Sequence, residues 1–370
     1  MIKILVEGMT EGKGGKESYL INTFREFDRE KFHFTFVVYG KDIAYQDELV
    51  NKGAELVRLP ERKDGLFHYR KALNDLLSQT HYDVLWANKT TLSSCEIIEL
   101  AKKHRIPLRI IHSHSSSNMG GFLTLILHSI NKCFVRKWAN MYLACSTDAA
   151  KWFYGKKQCR IVKNGINVEK YRFNETVRVK IRQELGVEND FVIGHVGRFG
   201  IEKNHQKLIR VFSEIHKMNP NTKLILCGDG EERQNIETLI NDLNLNDSVL
   251  LLGVIDNVHE VMQAIDVFVM PSLFEGLPFA LLEAQAAGLK CIVSDTVSRD
   301  SDIIPGNQFI SLDSDDSLWA EQILSIDVDS PRANAADVIK NNGFDIIDCS
   351  NEIQLMIENG LNENMTSKGA

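Results

Sequence analysis

The chain has 370 residues, 44% of them hydrophobic and 25% charged, the balance of a soluble globular protein with more chain than one ordinary core organises. No run of eighteen apolar residues occurs, which argues against a membrane-spanning helix; seven scattered cysteines without a Cys-x-x-Cys pair argue against a disulfide framework or a zinc site. The formal charge of −7 is divided, since residues 1–165 hold 26 Lys+Arg against 17 Asp+Glu and residues 166–370 hold 17 against 33, so a basic front half suited to an anionic partner precedes an acidic back half.

The opening stretch MIKILVEGMT lacks the pattern of a secretory signal, and with reduced thiols this sets the expectation of a cytoplasmic protein. IKILVEG reads as a first strand, and EGMTEGKGGKES follows it, with Gly12, Gly14 and Gly15 ahead of a helix beginning near Lys16. Glycines there let backbone N–H groups approach an anion at a helix start, although the spacing is neither G-x-G-x-x-G nor a P-loop; a plain surface loop is the alternative. HFTFVVYG, YDVLWAN and PLRIIHS are further strands, with amphipathic stretches such as KESYLINTFREF and SCEIIELAKKH between elements. Strand-helix alternation implies right-handed crossovers and a parallel, doubly wound sheet.

RIIHSHSSS ends the fourth of these strands with His112 and His114, which alternation places on one side of the sheet at its carboxyl edge. No carboxylate or cysteine accompanies them locally, so polar contacts to a substrate are favoured over a metal. MGGFLTLILHSINKCFVRKWAN, residues 119–140, combines eight large apolar residues with Lys132, Arg136 and Lys137. Its apolar surplus exceeds what one buried helix face needs, and this predicts docking of the front domain on an anionic membrane surface; the alternative is a helix buried in its own domain's core.

The pattern restarts after the turn signal Asn164-Gly165. DFVIGHVG, TKLILCG, SVLLLG, DVFVMPS and KCIVSD are strands of a second unit. The chain thus divides into residues 1–165, residues 166–345 and a carboxyl-terminal helix and tail, 346–370, that packs back on the first domain, with its last residues frayed. Arg198 and Lys203 follow DFVIGHVG, and two cations near a helix start suit a diphosphate. The turn Gly228-Asp229-Gly230 reads as mainly structural. After DVFVMPS, Glu275 precedes Gly276-Leu277-Pro278, a helix entry with Pro tolerated in the first turn, and Glu283 stands about one turn inside. A carboxylate accepts two hydrogen bonds at once and so suits a vicinal diol. The strings Asp300/Asp302, Asp313/Asp315 and Asp327/Asp329 follow the last clear strand and read as solvated acids.

These residues resemble the nucleotide-sugar-dependent, retaining glycosyltransferases of the GT-B fold, in particular family four. The resemblance rests on GKGGKES, HSH, KNGI, GRFGIEKN, LCGDGEER and the Glu-x7-Glu motif EGLPFALLE, in the family's order from residue 3 to about 290. RIIHSHSSS and ACSTDAAKWFYG look like the subgroup serving bacterial exopolysaccharide and capsule assembly. The resemblance implies two Rossmann-like doubly wound parallel-sheet domains facing an interdomain cleft, and transfer of a hexose or N-acetylhexosamine from a nucleotide sugar, with UDP favoured, to a glycan or lipid-linked acceptor. It implies that Arg198 and Lys203 hold the diphosphate and stabilise the leaving group, and that Glu283 grips the ribose. Glu275 contacts the transferred sugar, backbone around Gly276, Leu277 and Pro278 steadies sugar and phosphate, and Gly14 and Gly15 approach the phosphates. His114 lines the reacting sugar with His112 beside it, although either matches the family's single position.

The same resemblance implies no metal and no cofactor besides the donor, because the two cations meet the leaving group. The thiols and the segment 119–140 together set the expectation of a cytoplasmic protein, peripheral on the inner face of the plasma membrane. A nucleotide-sugar epimerase of this architecture and a non-catalytic sugar-nucleotide-binding module are the alternatives, and product analysis without acceptor separates the epimerase. A dehydrogenase is disfavoured because the first strand lacks G-x-G-x-x-G. Nucleic-acid binding is disfavoured because aromatic and basic residues do not interleave.

Overall fold

Runs rich in Val, Ile, Leu and Phe become parallel strands, and the amphipathic stretches between them become crossover helices. The structure, a computed structural model, describes residues 1–12, 14–40, 42–117, 120–275, 277–328 and 331–366. It divides into two units: Met1–Gly165 with the segment from Ile346, and Ile166–Asp345.

The first unit is built on β1 (Ile2–Glu7), β2 (Phe32–Tyr39), β3 (Glu55–Leu59), β4 (Val84–Lys89), β5 (Leu108–Ser113), β6 (Met141–Ala144) and β7 (Arg160–Ile161). They form one parallel sheet in the order β3-β2-β1-β4-β5-β6-β7. The second unit holds β8 (Phe191–Val196), β9 (Thr222–Cys227), β10 (Val249–Gly253), β11 (Val267–Met270), β12 (Lys290–Ser294) and β13 (Gln308–Ile310), parallel in the order β10-β9-β8-β11-β12-β13. Each sheet therefore reverses its winding once, between β1 and β4 and between β8 and β11. Loops beyond the carboxyl ends of strands at such a reversal are where open α/β sheets bind ligands.

Central strands are buried on both faces, as with Ile4, Leu5 and Val6 in β1 and Val267 to Met270 in β11, which is why they read as continuous apolar runs. The strands missing from the sequence reading are at edges or short. β3 is half-exposed, β7 is two exposed residues, and β6 and β13 have four and three residues, too few for a periodicity to show. The final helix, Ile346–Thr366, packs on the helix Gly15–Glu26 and on β5 within the first unit. It buries Ile353, Ile357 and Leu361, and Asp28 N–H donates to Gln354 Oε1 at 2.9 Å. The fraying expected from Asn362 onward does not occur before Thr366, because the preceding turns are held by that packing; residues 367–370 lie outside the described residues.

Strand β8 is fastened at both ends. At its amino end the buried Asp266 accepts from Arg178 at 2.5 Å, from Arg182 at 3.1 Å and from Val192 N–H at 2.7 Å. At its carboxyl end the loop carrying Arg198 lies against the glycine turn after β9. Gly197 N–H donates to Cys227 O at 3.0 Å, Phe199 N–H to Asp229 O at 2.9 Å, and Glu232 N–H to Phe199 O at 2.9 Å. Gly228 has φ +144°, and a Cβ there would stand 1.9 Å from Gly197 O. Gly228→Ala is therefore expected to cost about 3 kcal/mol or more. Gly186→Ala, at φ +66° with nothing within 4 Å, costs only the left-handed penalty of about 1 kcal/mol. Urea melts of the two variants compare them directly, and equal losses would show that the Gly228 contact is relieved elsewhere.

Candidate active site

The sequence after β8 turns sharply: a single helical turn, Ile201–Lys203, ends at Asn204 with φ 55°, from which the helix His205–Met218 starts. The turn places Arg198 and Lys203 on one loop at the reversal of the sheet. Arg198 is exposed, and its Nη2 meets Glu202 Oε1 at 2.9 Å and Glu231 at 3.8 Å. Lys203 is mostly enclosed, and its Nζ donates to Glu275 Oε1 at 2.5 Å. Two further bonds tie the loops after β8 and β11 together: Leu273 N–H to Glu202 O at 2.8 Å and Asn204 Nδ2 to Pro271 O at 3.1 Å. Glu275 itself is held in a parallel bridge with Val297. Three of the expected residues are thus brought together.

Gly276 lies outside the described residues. Pro278 is the residue before the helix Phe279–Ala286, with φ −73°. Leu277 packs its side chain against a cluster holding Ile166, Val168 and Leu282, so only its backbone is free to serve a ligand. Glu283 is half-buried in that helix. Burial pushes its carboxyl up to about 7, against a hydrogen bond from Tyr171 and the charge of Lys170. Next to it Gln285 is fully buried and fully used. Its Oε1 accepts from Ile303 N–H, Ile304 N–H and Asn307 Nδ2, each at 3.0 Å, while Nε2 donates to Leu281 O and Ser301 O. The small residues Ala284, Ala286 and Ala287, all buried, let the helix lie close on the sheet.

Two histidines that the sequence reading passed over sit under Lys203. His195 Nδ1 is 2.8 Å from Val269 O; a carbonyl only accepts, so Nδ1 carries the proton and Nε2 is a bare acceptor. His195 Nε2 and both nitrogens of His205 are buried without a hydrogen-bond partner among the described residues, and the rings meet edge to face at 4.9 Å. Burial, with the charge of Lys203 adding to it, pulls His205 down to about 4 and His195 well below the usual imidazole range. The spacing Lys203-x-His205 was the available signal.

In the first unit β5 ends as alternation predicted, with the rings of His112 and His114 on one side, 4.2 Å apart. His112 is fully buried between Trp86 and Tyr19, and neither of its nitrogens has a partner among the described residues. Burial pulls it down to about 3. His114 is half-buried, shares 2.9 Å with Asn88 Oδ1, and is kept neutral by burial, then by His112 and Lys16. Gly14 and Gly15 are exposed at the start of the helix Gly15–Glu26. Gly14 has an extended backbone, and nothing lies within 4 Å of a Cβ at Gly15. Nearby, Glu7 and Lys89 form a buried pair at 2.6 Å at the ends of β1 and β4, which the sequence reading also missed. The reason is plain: an ion pair between residues 82 positions apart leaves no local pattern.

Among the described residues no group of three His, Cys, Asp or Glu could hold a metal ion. Asp300, Asp302, Asp313, Asp315 and Asp327 are exposed; Asp329 lies outside the described residues. Asp300 and Asp302 follow β12, the last strand that the sequence shows clearly, and lie ahead of the three-residue β13.

Residues 177–343 match the family model described as glycosyl transferases group 1, and residues 13–170 match glycosyltransferase family 4. EpsF of Bacillus subtilis strain 168, which bears a glycosyltransferase's name, is 32% identical over 326 residues, 84% of each chain. An Escherichia coli protein named UDP-Gal:alpha-D-GlcNAc-diphosphoundecaprenol alpha-1,3-galactosyltransferase is 37% identical over 247 residues, 56% of this chain and 62% of its own. The crystal structure of Anabaena Alr3699/HepE in complex with UDP and glucose superposes with a TM-score of 0.80 at 19% identity, covering 97% of this chain and all of its own.

The raised Glu283 carboxyl gives a test of the site's electrostatics. Its ordinary value is 4.5 and its folded value about 7, so between these the folded chain binds more proton than the unfolded chain. Stability therefore falls as pH rises through that window. Glu283→Gln removes the fall, leaving the variant more stable than the parent above pH 7 by about 3 kcal/mol and alike below pH 4.5. Urea melts at several pH values measure it; parallel curves for the two proteins would contradict the burial of this carboxylate.

Proposed function

The chain belongs to the glycosyl transferases group 1, family four of the glycosyltransferases, and has their two-unit α/β architecture, the GT-B fold; on that premise we propose that it transfers a hexose or N-acetylhexosamine from a UDP-sugar to a glycan acceptor. Retention of configuration, a lipid-linked acceptor and a place in exopolysaccharide, capsule or other surface-polysaccharide assembly complete the reading. Its support is the set of motifs in the family's order, and the E. coli relative whose name gives UDP-Gal as donor and a diphosphoundecaprenol-linked acceptor.

One observation carries the catalytic part: Arg198 and Lys203 share a loop at the β8–β11 reversal, with Glu275 in contact with Lys203. Departure of a nucleoside diphosphate builds negative charge, and cations already held in place lower that barrier without reorganising. Both cations are paired with carboxylates, so an incoming diphosphate exchanges partners with Glu202 and Glu275. That exchange frees Glu275 to accept from hydroxyls of the transferred sugar. Glu283 accepts from the ribose diol, and the backbone of residues 276–278 steadies phosphate and sugar. In the first unit His114, with His112 behind it, and the exposed backbone N–H groups of Gly14 and Gly15 carry that unit's substrate contacts. No metal or further cofactor takes part in this reading.

A panel of nucleotide sugars with and without acceptor, read by UDP release and by product mass, tests the activity. Against the best donor, Glu275→Gln and Lys203→Ala each reduce turnover by at least about a hundredfold with melting curves that stay cooperative. Arg198→Ala weakens UDP binding as well. Near-parental turnover in both of the first two variants would remove these residues from the chemistry.

Turnover is also expected to persist in excess chelator, because Arg198 and Lys203 meet the leaving group. Loss of activity on chelation, restored by manganese, would overturn that assignment.

A further inference from the structure

The helix Phe122–Trp138 is not the core helix that its apolar content allows. Only His128 and Val135 are fully buried, whereas Phe122 and Leu123 are 75% exposed, Ile130 50%, Phe134 44% and Ile126 39%. Positions 122, 126, 130 and 134 recur every fourth residue, so these side chains make one stripe along about 18 Å of helix. A large contiguous apolar surface on a folded unit marks an interaction site.

The surrounding charge indicates what covers it. Residues 1–100 hold 14 Lys+Arg against 16 Asp+Glu, while residues 101–165 hold 12 against one, Asp148. The entire positive excess of the first unit is therefore confined to the elements around this helix. Lys102, Lys103, Arg105, Arg136, Lys137, Lys151, Lys156 and Arg160 are exposed. An open pocket lined by Ser116, Asp148, Lys151 and Trp152 lies next to the helix, and Trp152 stacks on its His128 at 4.3 Å. Two of the basic residues singled out from the sequence are engaged within the unit, where Lys132 donates to Trp152 O at 2.5 Å and Arg136 to Tyr154 O at 2.9 Å. They secure the end of the helix Thr147–Tyr154, and Lys151 pairs with Asp148 at 3.0 Å, so the exposed Lys137 and Lys156 are the better probes. Among the described residues no helix is long and apolar enough to cross a membrane.

We propose that the Phe122–Trp138 stripe and its basic surround dock the first unit on the surface of an anionic lipid bilayer, the helix lying in the interface with Phe122, Ile126, Ile130 and Phe134 among the acyl chains. A bilayer satisfies both features at once, since an interfacial helix needs an apolar stripe and is strengthened by basic residues facing anionic headgroups. The inference does not rest on the catalytic roles above, and it extends them by bringing the acceptor-side unit to the surface where a lipid-linked acceptor resides.

Flotation of the full chain with vesicles tests it, using phosphatidylcholine alone and phosphatidylcholine with phosphatidylglycerol. The parent floats with the anionic vesicles at low salt and is released by high NaCl. Ile130→Glu with Phe134→Glu lowers the apparent affinity at least about tenfold. Lys137→Glu and Lys156→Glu each lower it about fivefold or more while leaving the weak binding to neutral vesicles unchanged. All four substitutions are at exposed positions, and UDP release from the donor in the absence of vesicles stays at the parental rate, so a loss of flotation is separable from a loss of the active site. Absence of flotation at low salt, or flotation unaffected by the stripe variants, overturns the proposal. So does a parental dimer in light scattering without lipid that Ile130→Glu converts to monomer, which would assign the stripe to a second copy of the chain.

Discussion

The contact between Lys203 and Glu275, 2.5 Å and mostly shielded from water, governs the arrangement of the second unit's site. An ammonium or a carboxylate withdrawn from water without a partner is costly, so each fixes the loop that carries the other. The loops concerned follow β8 and β11, neighbours in the sheet, and the backbone bonds from Leu273 and Asn204 lock them in register. At the far end of the same strands Asp266 gathers Arg178, Arg182 and the Val192 amide. The strand pair is thus anchored by charge at both ends, and the glycine turn after β9 fits closely enough against Gly197 to leave the Arg198 loop little room to move.

Both units use the same electrostatic device beside their lysines. Each has a pair of histidines in contact, His112 with His114 at the end of β5 and His195 at the end of β8 with His205 at the start of the next helix, and burial keeps all four neutral. A neutral imidazole supplies polar contact without adding to the charge of Lys16 or Lys203. A protonated one would repel those ammonium groups and compete with them for an anion.

The legibility of the sequence follows the same physics. Central strands were plain because burial on both faces demands unbroken apolar runs, and the motif cations and glutamates were plain because they sit within a few residues of strand ends. What escaped depends on contacts remote in sequence. Glu7 with Lys89, Arg178 and Arg182 with Asp266, and Gln285 with the 301–307 loop are pairings that no local window shows. Edge strands β3 and β7 lack the burial that creates a pattern. Lys132 and Arg136 looked like free surface charge and prove to hold backbone carbonyls of the next helix. The length and composition of the segment 119–140 were equally compatible with core and surface; the exposure of Phe122 and Ile130 decides between them.

The two glutamates of EGLPFALLE show how one side-chain type takes two electrostatic forms eight residues apart. Glu275 stands before the helix, in a bridge with Val297, and meets an ammonium; it serves as a charge partner whose loss would strand Lys203. Glu283 stands inside the helix, half-buried, and has a phenol from Tyr171 rather than a cation in contact, so desolvation dominates and its carboxyl titrates near neutrality. A hydroxyl pair that donates to it restores the solvation that folding removed, and the gain is largest for the ionised form. In the proposed role a ribose diol therefore offsets a further part of the cost of burying this carboxylate, beyond what Tyr171 and Lys170 supply, so that ionisation of Glu283 and occupancy of the site are coupled.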